Sequence, residues 1–348
     1  MTTAIPPVIE GLLREASAKG ASDIHLIPDE PPVMRIDGLL QRTEGDALSG
    51  EQIRDMAAEM IGEGELERIG REVGEVHRSL SLHCEVNAQL SVAKASGNYT
   101  IAIRMSVTRI PKPEDIKTPK ALLDAVNSSH GLVVISGVTG SGKLTTAITL
   151  IEYLNTHHSC LICTIEDPIT VRLTPKKSLV RQLEIGLDIP DAVAGISTAV
   201  RQDADVVLVS EMKSVEELEA CISAAENGHL VIVVMHAATP EDAMHKIITI
   251  FPEDIRGGSC RALAKVLLAV SAQRLVPKAK GPGRVAAYGV LVPDNEMRAT
   301  IAECRSFTSG KISMPEGSYT IADDIGRLLE EGVINEETAN RMLGASLR

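Results

Sequence analysis

The segment Gly137-Val-Thr-Gly-Ser-Gly-Lys143-Leu144-Thr145-Thr146 constrains the fold more than any other stretch of the chain. Gly137, Gly142 and Lys143 have the spacing of a G-x-x-x-x-G-K-[ST] loop. In such a loop successive backbone N–H groups wrap a phosphate, the lysine reaches the outer oxygens and the last hydroxyl ligates a divalent cation. The preceding Gly131-Leu-Val-Val-Ile-Ser136 is a short β-branched run, and Thr145 to Tyr153 carries Ile148, Leu150 and Ile151 at helical spacing. A loop between strand and helix presents its amides at a helix N-terminus, where anions bind. The expected nucleotide-binding residues are therefore Gly137, Val138, Thr139, Gly140, Ser141, Gly142, Lys143, Leu144, Thr145 and Thr146. Leu144 stands at the hydroxyl position and has no oxygen to offer a metal, so nucleotide binding is predicted while magnesium-dependent hydrolysis stays in question.

From about 118 to 290 strands alternate with helices, the pattern of a largely parallel α/β sheet; the best strands are 132–136, 160–165, 205–210 and 229–235. Before it lies a small α+β unit. A helix over Ile5 to Lys19 stops at Gly20, strand pieces follow at 23–26 and 33–36 with a turn at Asp37-Gly38, and 48–61 reads as a second helix. Residues 80–105 read as strands, including 82–86 and 99–105, with a turn at Ser96-Gly-Asn98. Arg109 to Asp115 holds two prolines and several charges and is expected to be extended and exposed. The tail carries amphipathic helices at 319–331 and 335–347. The predicted organisation is thus an α+β domain at 1–108, a linker at 109–117, an α/β core at 118–295 and a helical region at 296–348.

A net charge of −12, no Trp and two Phe argue against nucleic acid, which needs phosphate-neutralising cations and stacking surfaces. No run approaches the roughly 20 apolar residues that span a bilayer, and the start lacks a signal-peptide pattern, so a soluble, cytoplasmic protein is expected. Six scattered cysteines read as free thiols. Cys160 and Cys163 fall in a strand whose alternation sends them to opposite faces, against a metal site. The basic stretch Arg172 to Lys177 reads as a solvated loop.

Polar motifs follow at the strand ends, where ligands of α/β sheets bind. Thr164-Ile-Glu-Asp-Pro168 closes one strand with two carboxylates. Asp205-Val-Val-Leu-Val-Ser-Glu-Met212 is an apolar strand ending in Glu211, preceded by Arg201-Gln-Asp-Ala-Asp205. Asn227-Gly-His-Leu-Val-Ile-Val-Val-Met-His236 has a histidine at each end of a strand.

In this order the motifs resemble the type IV pilus retraction (PilT-type, twitching motility) ATPases of the type II/IV secretion superfamily. Gly137–Thr146 is similar to that family's P-loop, Ile165-Glu-Asp-Pro-Ile169 to its aspartate box, Leu208-Val-Ser-Glu-Met212 to its Walker B box and Gly228–His236 to its histidine box. Gly20-Ala-Ser-Asp-Ile-His-Leu26, Arg35-Ile-Asp-Gly38 and Ala272-Gln-Arg-Leu-Val-Pro277 extend the likeness over nearly the whole chain. The resemblance implies a PAS-like N-terminal domain, a RecA-like ATPase domain, a ring of six, and ATP with Mg²⁺ as ligands. By carry-over, Lys143 holds phosphates, Glu166 orients the attacking water and Glu211 helps to hold Mg²⁺. His229 and His236 sense the γ-phosphate, and Arg104 approaches the nucleotide from the N-terminal domain. Glu296-Met-Arg-Ala-Thr-Ile301 is similar at Arg298 and Ile301 to a short helical motif of retraction members.

Departures from the family pattern fall at Leu144, at His83 and Glu85 in place of two arginines, at Lys213-Ser214 in place of Arg-Asp, and at Thr170 in place of a second Glu. The expected function is a hexameric retraction motor, peripheral to the inner membrane through pilus platform proteins and working beside a second pilus ATPase. Two alternatives stand beside it: a weakly active or non-catalytic regulatory paralogue, and an assembly or type II secretion ATPase.

Overall fold

The computed structural model describes residues 5–71, 74–82, 86–105, 110–281, 283–305 and 314–344. His83 and Glu85 lie outside the described residues. The chain divides into two compact units: residues up to 109 with Pro168–Arg172, and Ile110–Asp167 with Leu173–Arg348. The expected linker and the C-terminal helices therefore group with the nucleotide core.

In the first unit, α1 (Pro7–Lys19) has proline in its first turn, where no amide is missed, and ends at Gly20 in the left-handed conformation, φ +65°. Strand β1 (Ala21–Leu26) pairs with β2 (Val33–Ile36), which turns back into β3 (Leu39–Arg42). Asp37 and Gly38 at that turn have φ +48° and +87°, the two positive values that a tight hairpin matched to strand twist requires. Helix α2 (Gly50–Ile61) opens on a reciprocal capping box between Ser49 and Gln52. Helix α3 (Glu63–Arg71) and strands β4 (Glu75–Leu82), β5 (Val86–Ala95) and β6 (Asn98–Met105) complete the unit.

The strand expected over 82–86 lies partly outside the described residues, and its two ends belong to different strands, Leu82 of β4 pairing with Val86 of β5. The sheet runs β3-β2-β1-β6-β5-β4 and is antiparallel throughout. Ile24, Leu26, Leu90, Val92, Ile101 and Ile103 point to one face and pack with Ile9, Leu13 and Ile53 of the helices.

The second unit begins with the expected linker, which is not extended. Residues 113–117 form turns: Asp115 Oδ2 accepts the Lys112 N–H at 2.9 Å, and the Thr118 N–H reaches Pro113 O at 2.9 Å. A short acidic side chain thus closes the loop that the prolines alone would leave open. The elements that follow are α4 (Lys120–Val126), β7 (Gly131–Gly137), α5 (Lys143–His157), β8 (Leu161–Glu166), β9 (Leu179–Glu184), α6 (Ala192–Arg201), β10 (Val206–Val209) and α7 (Val215–Glu226). After them come β11 (Leu230–Met235), α8 (Pro240–Ile250), α9 (Glu253–Val266), β12 (Leu267–Pro277), β13 (Arg284–Leu291), α10 (Asn295–Ala302), α11 (Ile321–Glu330) and α12 (Glu336–Gly344).

Strand order is β13-β12-β7-β11-β10-β8-β9, parallel except for β13. Both faces are covered: Leu132, Val134, Val231 and Val233 pack into one cluster, and Val133, Ile135, Ile232 and Val234 into another. Burial on both sides is why these strands read as continuous apolar runs. Strand β12 starts at Leu267 directly from the last residue of α9, with no glycine or proline between, so the sequence pattern does not mark the change. No helix among the described residues is long and apolar enough to cross a membrane.

Candidate nucleotide site

Four adjacent strands, β7, β11, β10 and β8, end at the same edge of the parallel sheet. At the end of β7 the chain passes through Gly140 (φ +75°) and Gly142 (φ +83°) into α5, whose N-cap is Gly142. The first amides of a helix have no partners within it, so they face whatever anion sits there. A side chain at Gly137 has no room, since its Cβ would come 2.3 Å from Ser141 Oγ and 2.9 Å from Gln273 O. Gln273, on the neighbouring β12, donates from Nε2 to Ser141 O at 2.9 Å and backs the loop from beneath.

Lys143 opens α5 with Nζ 3.4 Å from Val138 O. Burial lowers its pKa, and the opposing influence is the charge of Glu211. Leu144 is half-buried and packs against the apolar cluster of Leu122, Ile148 and Ile151. Thr146 is buried, with Oγ1 3.4 Å from Tyr288 Oη, and that phenol donates to Ile116 O at 3.2 Å.

Burial pushes the Tyr288 phenol up to about 12, whereas a tyrosine in an unfolded chain titrates near 10. Between those values the unfolded chain has released the proton and the folded one has kept it. This residue's stabilisation is therefore complete below pH ~10 and lost as pH rises toward 12. Tyr288→Phe is expected to shrink the drop in urea midpoint between pH 9 and pH 11. An unchanged drop would show that Tyr288 contributes nothing to it.

The acidic side of the site comes from the next strands. Glu211 follows β10; its Oε1 lies 3.1 Å from His236 Nε2, just past β11, and its Oε2 lies 3.3 Å from Lys213 Nζ. The same ammonium donates to Asp167 Oδ2 at 3.0 Å, and that bond is the main reason its pKa is raised. Glu166, one residue before Asp167, is fully buried, and its Oε1 accepts from Thr164 Oγ1 at 2.7 Å and Gln182 Nε2 at 3.0 Å. Lys143, Asp167, Glu211, Lys213 and His236 thus form one electrostatic cluster beside the loop, with Glu166 turned inward behind it.

Two expected site residues make no contact in this cluster among the described residues. His229 sits at the amino end of β11, its Nδ1 2.7 Å from Ala204 O. Six strand residues separate it from His236, a span of about 20 Å. Asp205 lies at that same amino edge, where its Oδ2 accepts the Leu161 N–H at 2.7 Å. Arg104 belongs to β6 of the first unit, where it is largely exposed and pairs through Nε with Asp23 Oδ1 at 3.0 Å.

A parallel sheet with this loop between its first strand and helix, and acids on the adjoining strand ends, is matched by known proteins. The family model described as type II/IV secretion system protein matches residues 98–342. The chain belongs to that family. It is 30% identical over 335 residues to the type IV pilus ATPase PilU of Pseudomonas aeruginosa, covering 95% of this chain and 87% of that one. To the type IV pilus retractation ATPase PilT of the same organism it is 27% identical, covering 95% of this chain and 96% of PilT. The crystal structure of the pilus retraction motor PilT with bound ADP superposes with a TM-score of 0.81 at 31% identity, covering 95% of each chain. The chain is therefore a secretion-family ATPase with a small N-terminal domain and a RecA-like core.

Proposed function

We propose that the protein is a ring-forming, ATP-driven motor of pilus retraction, assembled as a hexamer. It would act at the cytoplasmic face of the inner membrane, against pilus platform proteins and beside a second pilus ATPase. The observation that carries this reading is the phosphate loop at the start of α5 flanked by Glu211 and His236 on adjoining strand ends. Similarity to PilT and PilU over almost the full length supports the choice of retraction.

In this reading the loop amides and Lys143 hold the polyphosphate, and His236, bonded to Glu211, is poised at its outer end. Glu166 reaches water only when its bonds from Thr164 and Gln182 open, so hydrolysis is tied to a movement of β8 or β9. Arg104 is a cation that the N-terminal domain can bring to developing phosphoryl charge. His229 faces away from its own subunit's loop and takes no part there.

The donors at the loop do not fit a magnesium ion held by the protein, because Leu144 has no hydroxyl and both Glu211 oxygens are engaged. That observation favours the second reading, a weakly active regulatory paralogue. Loss of the gene tests the direction of work. Surface pili are expected to accumulate and twitching to fail, whereas disappearance of pili would establish an assembly motor instead.

A further inference from the structure

A P-loop protein ordinarily anchors the nucleotide's magnesium through the hydroxyl after the lysine and an acid on a neighbouring strand. Here the first position is Leu144, whose side chain packs into the apolar cluster beneath α5. The second, Glu211, has one oxygen 3.1 Å from His236 Nε2 and the other 3.3 Å from Lys213 Nζ. The nearest further acid, Asp167, holds the same ammonium at 3.0 Å.

Lys213 is well placed to stay there. Its backbone N–H donates to Glu217 Oε2 at 2.6 Å, and Ser214 and Glu217 form the capping box that starts α7, so the root of the side chain is fixed. A divalent ion entering between Asp167 and Glu211 must expel this ammonium from both carboxylates and would gain no hydroxyl ligand in exchange. Lys143 and Lys213 balance Asp167 and Glu211 in charge, so the acids present no net repulsion to a polyphosphate arriving at the loop amides, and no metal is needed to screen them.

We propose that this protein binds nucleoside triphosphate without requiring a divalent cation: Leu144 supplies no hydroxyl, and Lys213 bridges Asp167 and Glu211, the acid expected to help hold magnesium. Lys213 and Leu144 together set this property. The reading rests on nucleotide binding at Gly137–Thr146.

The test is calorimetric titration of ATPγS into the full chain in magnesium and in EDTA, for the wild type, for Lys213→Arg and for the Leu144→Ser, Lys213→Ala double variant. Wild type and Lys213→Arg are expected to give dissociation constants that agree within about threefold in the two buffers, and the double variant about tenfold tighter binding in magnesium. Manganese paramagnetic resonance in the presence of ATPγS gives an independent readout: an ion signal distinct from that of free manganese–ATPγS, marking protein ligands to the ion, should belong to the double variant and not to the wild type. A wild type that binds about tenfold more weakly in EDTA overturns the proposal while leaving the nucleotide site intact. Absence of ATPγS binding in both buffers overturns the nucleotide reading itself, and the proposal with it. The wild-type comparison uses no variant, so a folding defect in the double variant cannot rescue the idea.

Discussion

Lys143→Ala is expected to weaken ATPγS binding by about a hundredfold and to bring phosphate release down to background. The ammonium is half-buried at the first residue of α5, and desolvation already lowers its pKa, so it is poised for a stronger anionic partner than Val138 O. Each charge-assisted hydrogen bond to a phosphate oxygen contributes about 1.5–3 kcal/mol, and two of them correspond to roughly a hundredfold or more in affinity. The substitution should leave the fold alone, because Lys143 contributes little packing and alanine suits a helix start. The measurements are ATPγS titration, phosphate release and the thermal midpoint. Unchanged binding with an unchanged midpoint would remove the loop as the nucleotide site. A wild-type release rate already equal to that of the variant would instead select the regulatory reading over the motor.

The phosphate loop was legible in the sequence because everything it needs is local: glycines at the positive-φ positions 140 and 142, and a lysine at the helix start. The strand ends carrying Glu211 and His236 were legible for a related reason, since doubly buried strands stand out as apolar runs that stop at polar residues. What escaped depends on partners distant in sequence. Glu166 looks like a free strand-end acid until β9, a strand of intermediate burial, brings Gln182 to its Oε1. Lys213 reads as a single odd residue after Glu211, yet its meaning comes from Asp167, just past the end of β8. Gln273 is fixed by β12, whose start no break residue announces, and Tyr288 by β13, which pairs antiparallel with it. His229 and His236 form a pair only in sequence, because a parallel strand sends its two ends to opposite edges of the sheet.

Arg298→Leu is expected to be among the most destabilising single changes, and its effect should reach the nucleotide loop. The resemblance to retraction ATPases singles out Arg298 by its place in a short helical motif, and the structure gives it a job. Helix α10, capped by Asp294, directs the guanidinium at the last turn of α9, where Nη1 donates to Ala264 O at 2.5 Å and Nη2 to Leu267 O at 2.9 Å. Carbonyls at a helix C-terminus have no donors within the helix, and a planar fork can serve two of them at once. Replacing it with leucine leaves both without that donor, at about 1–3 kcal/mol each. Lysine should recover only part, since it lacks the fork. Because the chain has two units, hydrogen exchange is a better readout than a single global transition: α10 and the end of α9 should lose protection first. Strand β12 continues from that junction to Gln273, which supports Ser141 under the phosphate loop, so ATPγS affinity should fall as well, by less than in Lys143→Ala. If Arg298→Leu leaves exchange at α9 and α10 unchanged, the contact is incidental. Protection lost there with affinity retained would confine its role to the helix pair.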